Sequence, residues 1–486
     1  LSCPLSGRLG AARPSSDTGA CDNERAEAVV AGIGFELRKL LSKGTFAGAF
    51  QAYAYAGIIS AGPWVLSIQA ILVIGLLSYA VVSPDFLINQ FQVSVTYIMV
   101  GSLVLTGLVQ LAFTRFIADR LFEAKFDWVL PNFNGVMLLV ATVSGVVGLA
   151  VILTLFPEQS DAYRVLMMAA FVIMCCIWTA TILLTGLKRY LEIFGLYLIG
   201  YAVTVAAALA LRPYGLEGLL LGFVIGHFLL LTGMVILILR EYPSTRFISF
   251  DFTVRSAFYP SLIGCGVIYH SAVWIDKIMF WYYPDTSVQI IGPLRASIIY
   301  DLPIFLAYLA IIPGMAVFLI EIETEFSEAF QKFFDAVREG ATLDRIEELR
   351  DELVFTVRSG LFEIVKIQSI TVLSIFVVGP WLLAKLGISS LYIPLLYVDM
   401  ISASLQVLLL AILTIFYYLD KRRIVLLLVS LCFILNACLT WVTLQLGAPF
   451  YGYGFALALV ATIVAAIWFL DAKLASLEYE TFMLQR

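Results

Sequence analysis

The chain has 486 residues, of which 61% are hydrophobic and only 13% charged, and its mean hydropathy is +0.96. A soluble domain carries about a quarter of its residues as charges, so these values exclude a soluble globular protein and leave a polytopic membrane protein. The net charge of -5 says little about partners because the cations are unevenly placed, and seven cysteines without CxxC spacing read as small core residues, not as a disulfide framework or metal site.

Residues 1–29 contain no apolar run long enough for the central region of a signal peptide and are expected to be disordered. Val30 is a second candidate start, and both Leu1 and Val30 read as non-AUG initiation codons translated literally, which would put residues 1–29 outside the native protein. Over residues 30–52, Ile33, Leu37, Leu40 and Leu41 share one helical face, with Glu36, Arg38, Lys39 and Lys43 largely off it. That spacing predicts an amphipathic helix in the membrane interface, the alternative being a solvated lead-in.

Twelve apolar runs of about 20 residues follow, each long enough to span a bilayer. They cover residues 53–80, 91–114, 132–156, 164–187, 191–211, 216–239, 256–280, 296–320, 361–384, 392–418, 424–445 and 449–470. Several carry Gly or Pro (Gly62 and Pro63, Pro260, Pro303, Pro313, Pro394), which spanning helices tolerate where neighbours re-satisfy the backbone. Assigning alternate loops to one side places 24 of the 30 Lys and Arg residues there, 4 (Arg164, Arg212, Arg295, Lys385) on the other, and 2 (Lys277, Lys366) inside spans. By the positive-inside rule the first side and both termini are cytoplasmic. The expected architecture is all-α, about twelve transmembrane helices in two six-helix halves, 53–240 and 241–486.

The cytosolic segment 321–360 carries two helical stripes, Phe326, Phe330, Phe333, Val337 and then Leu343, Ile346, Leu349, Leu353, divided by Gly340 with Thr342 as a candidate N-cap. This predicts a helical hairpin that either packs its stripes on the membrane domain or docks a cytosolic partner, with Arg345, Glu348 and Arg350 as candidate docking residues.

Little enzyme chemistry is visible. There is no phosphate-binding GxxxxGK[ST] loop, no His/Cys pair at ligand spacing around His227 or His270, and no Asp-x-Asp pair on a soluble segment, so neither a cofactor nor a metal is expected, and nothing points to nucleic acid. The informative stretch is 255–303, two spans joined by a short aqueous loop, which holds Asp276, Lys277, Arg295 and Asp301 at membrane depth. Charge there is costly and marks function.

Six spans and six spans around one polar seam is a transporter arrangement. The segments VAGIGFELRKLL, TFAGAFQAYAYAGIISAGPWVLSI and VWIDKIMFW, within a likeness that runs from residue 30 to the C-terminus, resemble the PelG family of Pel exopolysaccharide systems, distant members of the multidrug/oligosaccharidyl-lipid/polysaccharide flippase superfamily. The resemblance implies a twelve-helix fold with a central cavity, a bacterial inner membrane, and export of a hexosamine-rich polymer for the biofilm matrix. It also implies partners: the cytosolic glycosyltransferase PelF and the membrane proteins PelD, whose cytosolic part senses cyclic di-GMP, and PelE.

A polysaccharide path needs aromatic faces and hydrogen-bonding groups. Tyr53, Tyr55, Ser60, Trp64, Ser67 and Gln69 on the first span, with His270, Trp274 and Tyr300 around the seam, fit that need; the alternative for each aromatic is a membrane belt or bundle packing. An ion-coupled small-molecule antiporter on the same fold would instead use buried carboxylates such as Asp301 and Asp399, and a scaffold of a synthase complex would use neither. With alternating orientation, Lys277 and Asp301 reach similar depth on adjacent helices. They are expected to pair, with Asp276 and Arg295 closing the cluster toward the periplasm and Asp399 joining from the second half.

Overall fold

The computed structural model describes residues 46–78, 82, 84, 86–184, 190–254, 259–385 and 389–483. The predicted interfacial helix over 30–52 therefore falls mostly outside the described residues. The described residues divide into two compact units, one within 63–298 and one within 299–483 together with 46–62. Helix α1 (Phe46–Ser78) runs from the second unit into the first through Gly62 and Pro63. These units are defined by packing, whereas the expected halves 53–240 and 241–486 come from dividing the apolar runs six and six.

The first unit continues with α2 (Phe86–Thr106), α3 (Gln110–Phe122), α4 (Val129–Leu155), α5 (Asp161–Leu184), α6 (Tyr190–Leu211), α7 (Gly215–Glu241) and α8 (Pro260–Tyr282). Its interior is aromatic and aliphatic, with Phe91, Phe113, Phe133, Phe223 and Tyr163 almost fully buried. Helices α6 and α7 fold back on one another through a turn at Arg212–Tyr214, where Gly215 adopts φ +69. Small residues let the two backbones meet: a Cβ on Gly222 would stand 2.3 Å from Ala208 Cα, and one on Gly226 2.0 Å from Thr204 Oγ1. Where lipid supplies no hydrophobic drive between helices, such close backbone approach is the main attraction.

After α8 comes a β-hairpin where the sequence led us to expect an aqueous loop. Strands β1 (Val288–Ile291) and β2 (Leu294–Ala296) pair antiparallel with Gln289 opposite Arg295. The tripeptides VQI and LRA each alternate apolar and polar residues on either side of Gly292–Pro293, and Gly292 takes φ +52 in the turn. Nine-residue hairpins are easily lost beside long apolar helices.

The second unit contains the first part of α1, then α9 (Ile298–Leu309), α10 (Ile312–Ile320), a π-helical turn over Glu321–Phe326, α11 (Ser327–Glu339), α12 (Leu343–Lys385), α13 (Ile393–Tyr418), α14 (Arg422–Leu446), α15 (Tyr453–Ala475) and α16 (Leu477–Met483). Helices α9 and α10–α11 bend by 41° at their junction, next to Pro313. Gly340, at φ +71, ends α11 as anticipated. The predicted stripes turn inward: Phe326, Phe330, Phe333, Ile346, Leu349 and Leu353 are buried, and Tyr418 receives the rings of Phe326 and Phe330 edge-on. Leu343 departs from the pattern at 61% exposure, because it opens α12 before the stripe meets its neighbours.

Nine helical stretches among the described residues are long and apolar enough to cross a membrane, ten if the bent pair is one span. One of the nine, Glu192–Glu241, is the α6/α7 hairpin. The protein is a multi-pass membrane protein.

Candidate functional site

Helix α8 carries the polar seam of the first unit. Pro260 opens it at a position where its missing N–H costs nothing. Neighbouring side chains on a helix normally diverge. Here the Lys277 stem bends back over the preceding turn, so its ammonium reaches the Val273 carbonyl at 2.9 Å and the Asp276 carboxylate at 3.0 and 3.2 Å. Asp276 is 0% and Lys277 1% exposed, and the ammonium lies 6.0 Å from the Trp274 ring centroid. Two opposite charges at the same depth, paired and hydrogen-bonded, are the form in which ionised groups persist in an apolar interior.

The hairpin holds Arg295 at the end of this helix. Its Nε donates to Ser287 Oγ, and Ser287 Oγ donates to the Trp281 carbonyl at 2.5 Å. Tyr97, from α2, donates to the Arg295 carbonyl at 2.8 Å and accepts from its backbone N–H at 3.3 Å, while its ring stacks on Trp281 with centroids 4.6 Å apart. Gln90 on the same helix face donates to the Ile290 carbonyl at 3.1 Å. The hairpin is thus sewn to α2 and α8 through both its strands.

His270 sits two turns before Lys277 on α8, with Nε2 3.1 Å from Gln110 Oε1. One turn before it, α8 crosses the α2–α3 junction with backbones touching: a Cβ on Gly266 would stand 2.2 Å from the Gly107 carbonyl oxygen. Tyr97 and Gln110 were missed in the sequence, although polar residues within an apolar run were a visible signal. Their partners on α8 lie more than 150 residues away, and no local pattern encodes that.

In the second unit Tyr300 is 0% exposed and Asp301 half-buried, both in the first turn of α9. Asp399, 0% exposed on α13, faces the beginning of α15. The cap there, Gly452, has φ +85, and a Cβ on it would stand 3.0 Å from Asp399 Oδ1. Glycine is needed at this point both for its backbone angle and for the carboxylate beside it. A carboxylate at a helix N-terminus also meets the positive end of the helix dipole. The seam residues are therefore gathered as Asp276 with Lys277 and Trp274, and Arg295 with Trp281, within one unit; Asp301 and Asp399 belong to the other.

On α1, Tyr53 is 40% exposed, Tyr55 half-buried, Ser67 buried and Gln69 exposed, while the side chains of Ser60 and Trp64 lie outside the described ones. Gln368 on α12 was not anticipated: it is 3% exposed, its amide has no hydrogen-bond partner among the described residues, and it presses on Gly314, whose Cβ would stand 2.5 Å from the amide carbon. Of the candidate docking residues, Arg345 and Glu348 bind one another at 2.5 Å. Arg350 turns away to Glu478 of α16 at 2.8 Å. No group of three or more His, Cys, Asp or Glu side chains among the described residues could hold a metal ion.

Residues 30–482 match the model of the PelG family, described as "Putative exopolysaccharide Exporter (EPS-E)". The chain belongs to the PelG family. No curated protein matches it by sequence. Among solved structures it is similar to an outward-facing multidrug resistance MATE family transporter of the MOP superfamily, with TM-score 0.67 and 12% identity over 88% of this chain and 96% of that one. A MOP superfamily transporter from Pyrococcus furiosus matches with TM-score 0.62 at 12% identity, covering 88% and 96%, and the Vibrio cholerae MATE transporter VcmN in its bent form with 0.59 at 12%, covering 87% and 98%. The fold of this PelG family member is that of MATE-like transporters, and family and fold point to a transporter.

Proposed function

We propose that this PelG family member is the inner-membrane translocase that passes the Pel exopolysaccharide, a hexosamine-rich polymer, from cytoplasm to periplasm for the biofilm matrix. The observation that carries this reading is the family match over residues 30–482, which includes the whole polar seam. The seam offers what a glycan needs: stacked Tyr97 and Trp281, the Arg295 guanidinium, and amides and hydroxyls from Gln90, Gln110 and Ser287.

Twelve spans fit this reading. The 33-residue α1 and the bent α9–α10 each add one to the apolar stretches, and the α6/α7 hairpin counts as two. Both termini then lie in the cytoplasm with the Lys- and Arg-rich loops. The seam pairs Lys277 with Asp301 in at least one transport state, with Asp276, Arg295 and Asp399 completing a periplasmic gate. The assembly includes PelF, PelD and PelE, with PelF meeting the α11–α12 hairpin at Arg345, Glu348 and Arg350.

The test is depletion of this chain in a polymer-secreting strain, followed by measurement of hexosamine polymer outside the cell and in the cytoplasm. Secretion should stop; secretion at the parental rate would sink the reading. A second reading, an ion-coupled antiporter, is favoured by the fully buried Asp399. Energised vesicles containing only this protein separate the two, since the antiporter alone would move small cations against an imposed gradient.

A further inference from the structure

Three cations of the first unit converge on one indole. Around the Trp128 ring stand the Arg120 guanidinium at 5.9 Å, the Lys125 ammonium at 5.4 Å and the Arg246 guanidinium at 5.9 Å from its centroid; Arg120 also covers Phe116 at 5.4 Å. Glu123 binds Arg120 at 2.7 Å and Lys125 at 2.9 Å. Arg246 has no carboxylate partner among the described residues. Asp119, which also acts on Arg120, is bound by Arg115 at 3.0 Å, so two carboxylates against four cations leave a net positive site, and like charges are not held together without a counter-ion or a rigid frame.

The frame is visible. The segment 244–251, which follows α7, is strapped onto the beginning of α4. Ser244 donates to the Asp127 carbonyl at 2.8 Å, Asn134 to the Phe247 carbonyl at 2.8 Å, and Ser249 N–H to the Pro131 carbonyl at 2.9 Å. Asn132 and Asp251 exchange two bonds, the Asn132 amide to the Asp251 carboxylate at 3.0 Å and the Asp251 N–H to Asn132 Oδ1 at 2.8 Å. A Cβ on Gly135 would stand 2.0 Å from the Ser249 carbonyl oxygen, so the strap lies directly on the helix. Arg246 is thereby fixed opposite Arg120 and Lys125, although it comes more than 100 residues later.

Trp128 closes the short turn from which α4 enters its apolar span. An indole at the end of a spanning helix sits at headgroup level. Phe122 and Phe247, beside these cations in sequence, are 54% and 79% exposed. Exposed rings next to a net positive cluster suit a surface that is oily below and anionic above. Guanidinium forks also match phosphate oxygens better than a point charge does.

We propose that Arg120, Lys125 and Arg246, framed around Trp128, form a binding site for the phosphate of an anionic phospholipid headgroup on the Lys- and Arg-rich side of the membrane. Soluble phosphates share the chemistry, and the experiment separates them. Purified full-length protein in detergent is titrated with brominated phosphatidylglycerol, brominated phosphatidylcholine or sodium diphosphate. The Trp128 signal is the fluorescence quenched in the parent but not in Trp128→Phe. Phosphatidylglycerol should half-saturate this signal at a concentration at least about 5-fold below that of phosphatidylcholine. Arg246→Gln should weaken phosphatidylglycerol about 5-fold and leave phosphatidylcholine unchanged, with Arg246→Lys between the two. Arg246 is exposed, so each variant should keep the parental unfolding temperature. Equal half-saturation by the two lipids overturns the proposal. Protection of Trp128 by diphosphate at lower concentrations than phosphatidylglycerol reassigns the site to a soluble phosphate and overturns it as well.

Discussion

Two ion pairs in this protein have similar distances and opposite surroundings. Asp276 and Lys277 meet at 3.0 Å with side chains 0% and 2% exposed, whereas Arg345 and Glu348 meet at 2.5 Å with side chains 67% and 53% exposed in the reverse order. Separation therefore does not rank them. At about 4 Å two unit charges attract by about 1 kcal/mol in water and by several times that near protein, but burying them first costs several kcal/mol per ion. A buried pair is expensive to assemble and more expensive to break by halves; an exposed pair is cheap both ways. That asymmetry decides where in the chain a single substitution is informative.

The largest expected effect follows from halving the buried pair. Lys277→Ala or Asp276→Ala should each destabilise the protein by about 3–5 kcal/mol, because the remaining charge has no equivalent solvation. Denaturant unfolding in one fixed detergent would measure it. Asp276→Leu combined with Lys277→Met should recover most of that loss. Export by the stable double variant then separates roles: parental export makes the pair structural, and lost export makes it part of the path. Exchanging Lys277→Asp with Asp301→Lys sharpens this further. Better export from the exchange than from either single change would support a Lys277–Asp301 contact during transport.

Between the two extremes stands a neutral partner. Asn132→Ala removes both bonds to Asp251 and leaves its carboxylate, among the described residues, with the Ser249 hydroxyl alone. A loss of about 1–3 kcal/mol is expected. Thermal unfolding of the variant checks it, and a loss below half a kcal/mol would mean that water replaces the amide at no cost.

These comparisons also show what the sequence could and could not disclose. Burial of the Phe326, Phe330 and Phe333 stripe was legible because helical periodicity is local. So was the cost of Asp276 and Lys277 in an apolar run. That the two bind one another, through a lysine folded back onto Val273, depends on side-chain conformation and left no trace in spacing. The clasp of Tyr97 on Arg295 and the strap of 244–251 onto α4 join segments more than 100 residues apart. The hairpin after α8 was legible in principle, from alternation about Gly292 and Pro293, but nine polar and apolar residues between long helices read first as a loop.

A smaller effect is expected at the C-terminal helix. Glu480 on α16 is bound by both Lys421 and Lys473. Burial alone would raise its pKa, but the bonds from the two ammonium groups outweigh it and hold the carboxyl below the ordinary glutamate value of 4.5. A depressed pKa contributes stability that is present above the unfolded value and is lost as pH falls through the folded one. Amide exchange at Leu477–Met483, corrected for its intrinsic pH dependence, should therefore accelerate about 5-fold below that range, the equivalent of one ordinary ion pair. Glu480→Gln should abolish the pH dependence while leaving Asp276 and Lys277 unaffected.

The smallest effect on stability, and the one most informative about partners, belongs to the exposed pair. Reversing Arg345 and Glu348 together, Arg345→Glu with Glu348→Arg, preserves their attraction and should change unfolding by less than about 1 kcal/mol. Reversing Arg350 as well adds a second cost, since Arg350→Glu would face Glu478 across what is now a 2.8 Å contact and loosen α16. The two-residue reversal is therefore the cleaner probe of docking. If PelF meets this face through charge, co-purification should fall with the reversal while unfolding does not. Unchanged co-purification would remove Arg345 and Glu348 from the interface and leave the buried stripe of α11 and α12 as packing for the second unit alone. A charge on a surface carries little energy within its own fold, so whatever a reversal there costs is measured against a partner.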